Sequence, residues 1–184
     1  MLKQIFTYTY DTKLILELIE NTKFGAITSN ILAPLTLSVI MYNAIPISYV
    51  YIFLLFHSMI FISRVFLTNS FKNTIKSLSN KHLTTKFLKI YISLISLSAF
   101  SFSILFFYAS SYGVGDLELF FIVCIIIALS AGSLATMGSV YIVFASFMLS
   151  NIIPIITVMS IHGGRVFYFS IIAFILYLIL LLWS

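Results

Sequence analysis

The sequence predicts an all-α polytopic membrane protein in which six transmembrane helices form a bundle with short loops. Of its 184 residues, 61% are hydrophobic and 8% are charged, whereas soluble domains carry about 25% charged residues. Residues 119–160 contain no Asp, Glu, Lys, Arg or His. A bilayer crossing takes about 20 residues, so this stretch predicts two crossings with a hinge near Gly138. Long apolar segments without polar alternation exclude a transmembrane β-barrel.

The apolar runs place the six crossings, and the polar residues between them place the loops. A cytoplasmic N-terminal amphipathic segment is expected over residues 1–23, ahead of a transmembrane domain over residues 24–184. Pro34 should break the first crossing softly, and Trp183 should end the sixth at a membrane interface. The chain ends within a residue of the sixth helix, so we expect a membrane module taken from a larger protein. The crossings are expected at about 24–42, 47–67, 88–111, 117–137, 140–160 and 166–184.

The N-terminal segment carries a helical pattern, with Asp11 as its expected N-cap. It has no signal-peptide pattern. The segment is expected to lie at the membrane surface, to continue into the first crossing, or to be a plain lead-in to it. The apolar residues that share one side of this helix are Leu14, Ile15, Leu18 and Ile19.

The basic residues predict the orientation. Residues 68–89 read as a polar loop that holds five lysines and no acid. With both termini on the same side, only Arg165 among the basic residues lies opposite, so the positive-inside rule places this loop and both termini in the cytoplasm. The loop would face phospholipids or contact a cytosolic partner. The basic residues lie between apolar runs rather than in an Arg-rich patch, so nucleic acid is not an expected partner.

Three polar residues inside crossings are candidates for binding an unknown ligand: His57, Arg64 and Asn151. Ionisable groups within a membrane often mark functional sites. His57 and Arg64 are seven residues apart and share a helix face. A neutral His57 bonded to a neighbouring helix is equally consistent, and Arg64 is expected to extend its side chain to the lipid headgroups.

Small residues and a proline predict how the later crossings pack. Ala128, Gly132 and Thr136 share one face, which predicts that the fourth crossing is a central packing helix. Pro154 should bend the fifth crossing or free a carbonyl near Ser150, as a static kink or as a hinge. The third crossing carries serines expected to bond to carbonyls one turn back or to a neighbouring helix, namely Ser93, Ser96, Ser98, Ser101 and Ser103.

No catalytic residue, metal site or cofactor is predicted. Apart from Glu118 at the outer start of the fourth, the expected crossings contain no Asp or Glu, which disfavours ion-coupled transport. The three histidines fall at different expected depths, and nucleotide-binding and zinc motifs are missing. Cys124, the one cysteine, reads as a small core residue.

The pattern resembles the N-terminal six-helix membrane regions of bacterial histidine kinases and GGDEF-type diguanylate cyclases. The resemblance rests on residues 16–30 (LELIENTKFGAITSN), Arg64 at the end of the second crossing, the basic loop, residues 131–136 (AGSLAT) and the Ile153–Pro154 pair. It implies a sensor or anchor without enzymatic activity, embedded in the lipid bilayer of a bacterial inner membrane and joined to a cytoplasmic output domain. We also expect a homo-oligomer formed through the helices. The alternative is a small transporter or channel-like protein for an uncharged solute.

Overall fold

The computed structural model describes residues 12–75 and 81–162, together with positions 168, 171, 172, 175, 176 and 179. Every regular element within this part of the chain is helical. The expected N-cap Asp11 and most of the expected sixth crossing, including Trp183, lie outside the described residues. The helices are α1 (Thr12–Ile27), a π-helical turn (Thr28–Leu32), α2 (Ala33–Met41), α3 (Ile47–Ile75), α4 (Lys81–Ser111), α5 (Asp116–Met137) and α6 (Tyr141–His162).

Four of the described helices, α3 to α6, are long and apolar enough to cross a membrane. The N-terminal helices add a fifth apolar segment if α1 and α2 are counted as one broken span. The chain bends by 55° between its Lys13–Lys23 and Gly25–Met41 portions. The bend and the π-helical turn together make this the most irregular helical segment of the described chain.

The expectation of a polar loop over residues 68–89 is wrong for most of its length. Helix α3 continues to Ile75 and α4 begins at Lys81, so only residues 76–80 separate the two helices. The stretch has no Gly or Pro to end a helix. The Phe71 and Phe87 rings stack with centroids 4.1 Å apart, which holds the two helical extensions together.

The shorter connections follow from local backbone chemistry. Gly113 has φ of 70°, a left-handed conformation that glycine adopts without steric cost. It lies just after Ser111, the last residue of α4, where such a glycine commonly ends a helix. The predicted hinge near Gly138 is confirmed, because α5 ends at Met137 and α6 begins at Tyr141.

The bundle has an apolar surface and a partly polar interior. Val39, Phe66 and Ile161 are each at least 75% exposed, which is unfavourable in water and favourable against lipid. Helix α4 packs against α3, α5 and α6, and its buried face holds Tyr91, Phe102 and Phe106. Several fully or nearly buried side chains are polar, among them Thr22, Asn30, His57, Arg64, Ser98, Ser101, Ser103 and Asn151.

The apolar face of α1 is buried against protein. Ile15 and Leu18 are fully covered and Ile19 is nearly so, whereas Leu14 is partly exposed. Of the alternatives open for this segment, the structure therefore has α1 packed on the bundle and leading directly into the π-helical turn.

Candidate functional site

Two buried polar networks join the broken N-terminal helix to α3 and α4. The first, which we call the arginine network, consists of Arg64 from α3, Tyr91 from α4 and Thr22 from α1. Arg64 Nη2 donates to the Tyr91 hydroxyl at 3.0 Å, and that hydroxyl donates to Thr22 Oγ1 at 2.8 Å. Thr22 Oγ1 in turn donates to the Leu18 carbonyl at 2.7 Å. Three helices are thus fastened together at one level.

The expectation that Arg64 extends to the headgroups is wrong. Its side chain is only 3% exposed, and its guanidinium carbon lies 5.2 Å from the centroid of the Tyr91 ring. The Tyr91 hydroxyl and ring face draw the guanidinium inward, as a cation–π contact and a hydrogen bond together. Arg64 Nε has no hydrogen-bond partner among the described residues.

An exposed ion-pair cluster lies next to the arginine network, where α1 meets the extension of α3. Glu20 pairs with Lys23 at 2.5 Å and also with Lys72. Hydrogen bonds from Lys23 and Lys72 lower the pKa of Glu20 from 4.5 to about 2. The charge of this carboxylate is therefore already balanced by two lysines.

The second network, which we call the histidine network, consists of His57, Ser101, Ser98 and Asn30. Ser101 Oγ lies 2.7 Å from His57 Nε2 and 2.7 Å from the Ser98 carbonyl. Ser98 Oγ donates to Asn30 Oδ1 at 3.0 Å. Asn30 Nδ2 donates to the Ala26 carbonyl and to Ser29 Oγ, both at 3.0 Å.

Aromatic rings surround the imidazole of this network. The Phe53 and Phe102 ring centroids lie 4.6 and 4.8 Å from that of His57. His57 is fully buried, and its Nδ1 has no partner in the described part of the chain. The interpretation of His57 as an imidazole bonded to a neighbouring helix matches the Ser101 contact.

The backbone at Asn30 is irregular because of the proline that follows. Pro34 lies in the first turn of α2 and has no N–H to donate to the Asn30 carbonyl four residues earlier. The chain accommodates this as the π-helical turn, an element often found at functional sites. The break thus presents the Asn30 amide to α4.

The third candidate, Asn151, is separate from both networks. Its side chain is fully buried, and neither amide atom has a partner among the described residues. Ser103 Oγ donates to its backbone carbonyl at 3.0 Å. Helix α6 runs without interruption through Pro154, and the carbonyl that receives this bond is one residue beyond the predicted Ser150. The structure therefore does not gather His57, Arg64 and Asn151 into one site.

The face of α5 that carries the small residues is largely exposed, whereas the sequence predicted that it would pack against other helices. Ala128 and Gly132 are exposed, Thr136 is half-buried, and the buried face of α5 includes Ile122 and Ile126 instead. The small face lines an open groove of about 430 Å³ between α5 and the broken N-terminal helix. Large aliphatic side chains fill the interior better than alanine and glycine do, which explains which face turns inward.

Gly25 lines this groove where α1 comes close to α5. A Cβ atom added to Gly25 would lie 3.3 Å from Thr136 Oγ1, whereas one added to Gly132 would have no described neighbour within 4 Å. The close helix approach made possible by glycine is therefore at Gly25, a residue that sequence reasoning did not single out.

Sequence reasoning also missed Thr22, Asn30 and Tyr91. A usable signal existed for Asn30, because it is an amide in an apolar segment four residues before a proline. The predicted bonding of the α4 serines is confirmed for Ser93, Ser98, Ser101 and Ser103. The described residues contain no group of three or more acidic, cysteine or histidine side chains able to hold a metal ion.

No family model, curated protein or solved structure matches this chain. Its function is therefore inferred from the chemistry of these networks.

Proposed function

We propose that this chain is the membrane-embedded input module, a sensor or anchor without enzymatic activity, of a bacterial signalling protein. It would act on a cytoplasmic kinase or cyclase output domain. In this proposal the chain crosses the inner membrane six times, as its apolar runs allow. Both termini and the turn between α3 and α4 lie in the cytoplasm. Homo-oligomers would form through the helices.

The observation that supports this proposal is the attachment of the broken N-terminal helix. Thr22 lies on one side of the 55° bend and Asn30 on the other, and each bonds to α4. Interhelical hydrogen bonds in membranes contribute about 0.6 kcal/mol each on average. Each bond is therefore weak, and a stimulus that binds one arrangement of the segment better than another by a few kcal/mol can shift the segment between them.

This assigns the movable element to the N-terminal helix. The alternative candidate, Pro154, lies in a helix that is continuous and extensively packed on α4. A hinge needs a break that can open and close, and the 55° bend between Lys23 and Gly25 supplies one.

A kinase chimera tests the proposal. A histidine kinase catalytic region would be fused after Ser184 through helical linkers that differ by single residues, and autophosphorylation would be measured in membranes. We expect activity to vary with the helical repeat of the linker and to change severalfold in Asn30→Leu. The matched control is Ser93→Ala, whose exposed hydroxyl bonds only within α4. If autophosphorylation changes neither with linker length nor in Asn30→Leu, the result would contradict an input role.

The alternative, a pathway for an uncharged solute, draws support from the hydroxyl groups of Thr28, Ser29, Thr36, Ser133 and Thr136 in the groove lining. Stopped-flow swelling of proteoliposomes in glycerol or urea tests it. Swelling faster than in empty liposomes, and slowed by Gly132→Leu, would favour transport over signalling.

A further inference from the structure

We propose that the arginine network is a binding site for a phosphate group, supplied by a phospholipid headgroup or by free phosphate. This inference concerns the ligand chemistry of Arg64 and does not depend on the signalling role.

The first step is the charge balance around Arg64. Its guanidinium is buried, and its one hydrogen bond in the described part of the chain is to Tyr91, a neutral acceptor. A buried charge without an opposite charge costs several kcal/mol, so a partner anion is strongly favoured. Arg64 Nε remains without an acceptor among these residues.

The second step is that the described acids of the chain are poorly placed to be that anion. Glu20 is held by Lys23 and Lys72. Glu17 is exposed on α1. Asp11 lies outside the described residues, eleven positions before Thr22 in the sequence. The two remaining acids, Asp116 and Glu118, begin α5, beyond the end of α4 that lies far from Tyr91.

The third step is the chemistry of the surroundings. A guanidinium offers a planar fork of donors that matches two phosphate oxygens. The Tyr91 and Thr22 hydroxyls can each turn to donate to a third oxygen. An entering phosphate oxygen would replace the neutral hydroxyl acceptor of Arg64 with an anionic acceptor and so supply the missing opposite charge.

The fourth step is access by anions. Lys72 lies eight residues beyond Arg64 on α3, about 12 Å along the helix axis, and Lys89 precedes Tyr91 by two residues on α4. These cations raise the local concentration of anions near the network. Basic residues that flank a membrane-spanning helix attract anionic phospholipid headgroups.

The experiment measures thermal unfolding of the purified full chain in a non-ionic detergent. The additives are dioleoylphosphatidylglycerol, dioleoylglycerol, which has the same acyl chains without phosphate, and inorganic phosphate against sodium chloride of equal ionic strength. We expect the phospholipid, inorganic phosphate or both to raise the unfolding temperature, and dioleoylglycerol and sodium chloride to leave it unchanged. An effect of the phospholipid alone identifies a headgroup as the source, and an effect of inorganic phosphate identifies free phosphate.

Variants assign the effect to the network. In Arg64→Gln we expect binding of the phosphate compound to weaken about tenfold to a hundredfold, as when a charge-assisted pair of bonds is lost. Lys86→Gln removes one exposed cation from the same end of α4 and should leave binding within about twofold, as expected for an exposed charge. If Arg64→Gln fails to fold, Tyr91→Phe, which keeps the charge and the ring, should still weaken binding.

Two results would overturn the proposal. One is a wild-type protein stabilised no more by the phosphate compounds than by dioleoylglycerol or sodium chloride. The other is equal stabilisation of the wild type and the folded network variants.

Discussion

Replacement of Asn30 should measurably lower the stability of the helical bundle. It is 2% exposed and takes part in three hydrogen bonds, to Ala26, Ser29 and Ser98. Replacement by leucine keeps a similar volume and removes all three. At about 0.6 kcal/mol for an average hydrogen bond within a membrane protein, Asn30→Leu should lower the free energy of unfolding by about 2 kcal/mol.

A double-mutant cycle separates the interhelical bond from the local ones. Ser98→Ala alone should cost about 0.6 kcal/mol, the value for one bond. Because both variants remove the same Asn30–Ser98 bond, the double variant should cost less than the sum of the single ones by about that amount. Ser93→Ala is the control, since its hydroxyl bonds only to the Lys89 carbonyl of its own helix.

The assay is equilibrium unfolding in mixed micelles of a non-ionic detergent and dodecyl sulfate, followed by helical circular dichroism. Asn30→Leu should unfold at a clearly lower fraction of dodecyl sulfate than the parent. If it unfolds at the parent's midpoint, the histidine network does not stabilise the fold, and the attachment of the broken helix has been misjudged.

Three further predictions concern orientation, packing and pH. Single cysteines at Ser77 and Ser79, in a cysteine-free background, should resist an impermeant thiol reagent in intact cells and react in inverted vesicles, because the lysine-rich side is expected in the cytoplasm; labelling of intact cells would reverse the orientation. Gly25→Leu should destabilise the fold by about 1–3 kcal/mol through overpacking against α5, whereas Gly132→Leu, which meets open space, should leave the thermal unfolding midpoint nearly unchanged; equal losses would count against the groove geometry. Ion pairing lowers the pKa of Glu20 to about 2. The contribution of the Glu20 ion pairs to the docking of α1 on α3 should therefore be complete above pH 4.5 and should disappear as the pH falls towards 2. Distances between spin labels on these two helices should widen over that range in the parent, and a Glu20→Gln variant should show no such transition.

The sequence predicted what depends on local composition. The uncharged run over residues 119–160 and Gly138 were sufficient to place the turn between α5 and α6, because length and glycine determine both. The serines of α4 were correctly expected to bond to carbonyls or to neighbouring helices. These properties follow from one segment at a time.

The sequence did not predict what depends on which helices are neighbours. Arg64 was expected to reach the headgroups because its distance from the helix end permits it, but Tyr91, 27 residues away, holds it inside. The small face of α5 was expected to be buried because small residues permit close packing, yet the competing aliphatic face is the buried one. A local pattern shows which contacts a helix face can make. The difference in free energy between competing faces decides which face is buried.

The stacked Phe71 and Phe87 rings have a consequence for the lysine-rich end of the molecule. Helix α3 has 29 residues, which span about 43 Å and exceed the hydrocarbon thickness by about 13 Å. For helices along the membrane normal, the tip of this helical pair lies past the headgroups by a distance comparable to the Debye length of about 8 Å at physiological ionic strength. Lipid charges are partly screened there, so the end of α3 beyond Lys72 is better placed to meet a soluble partner than to meet the headgroups that Lys72 attracts.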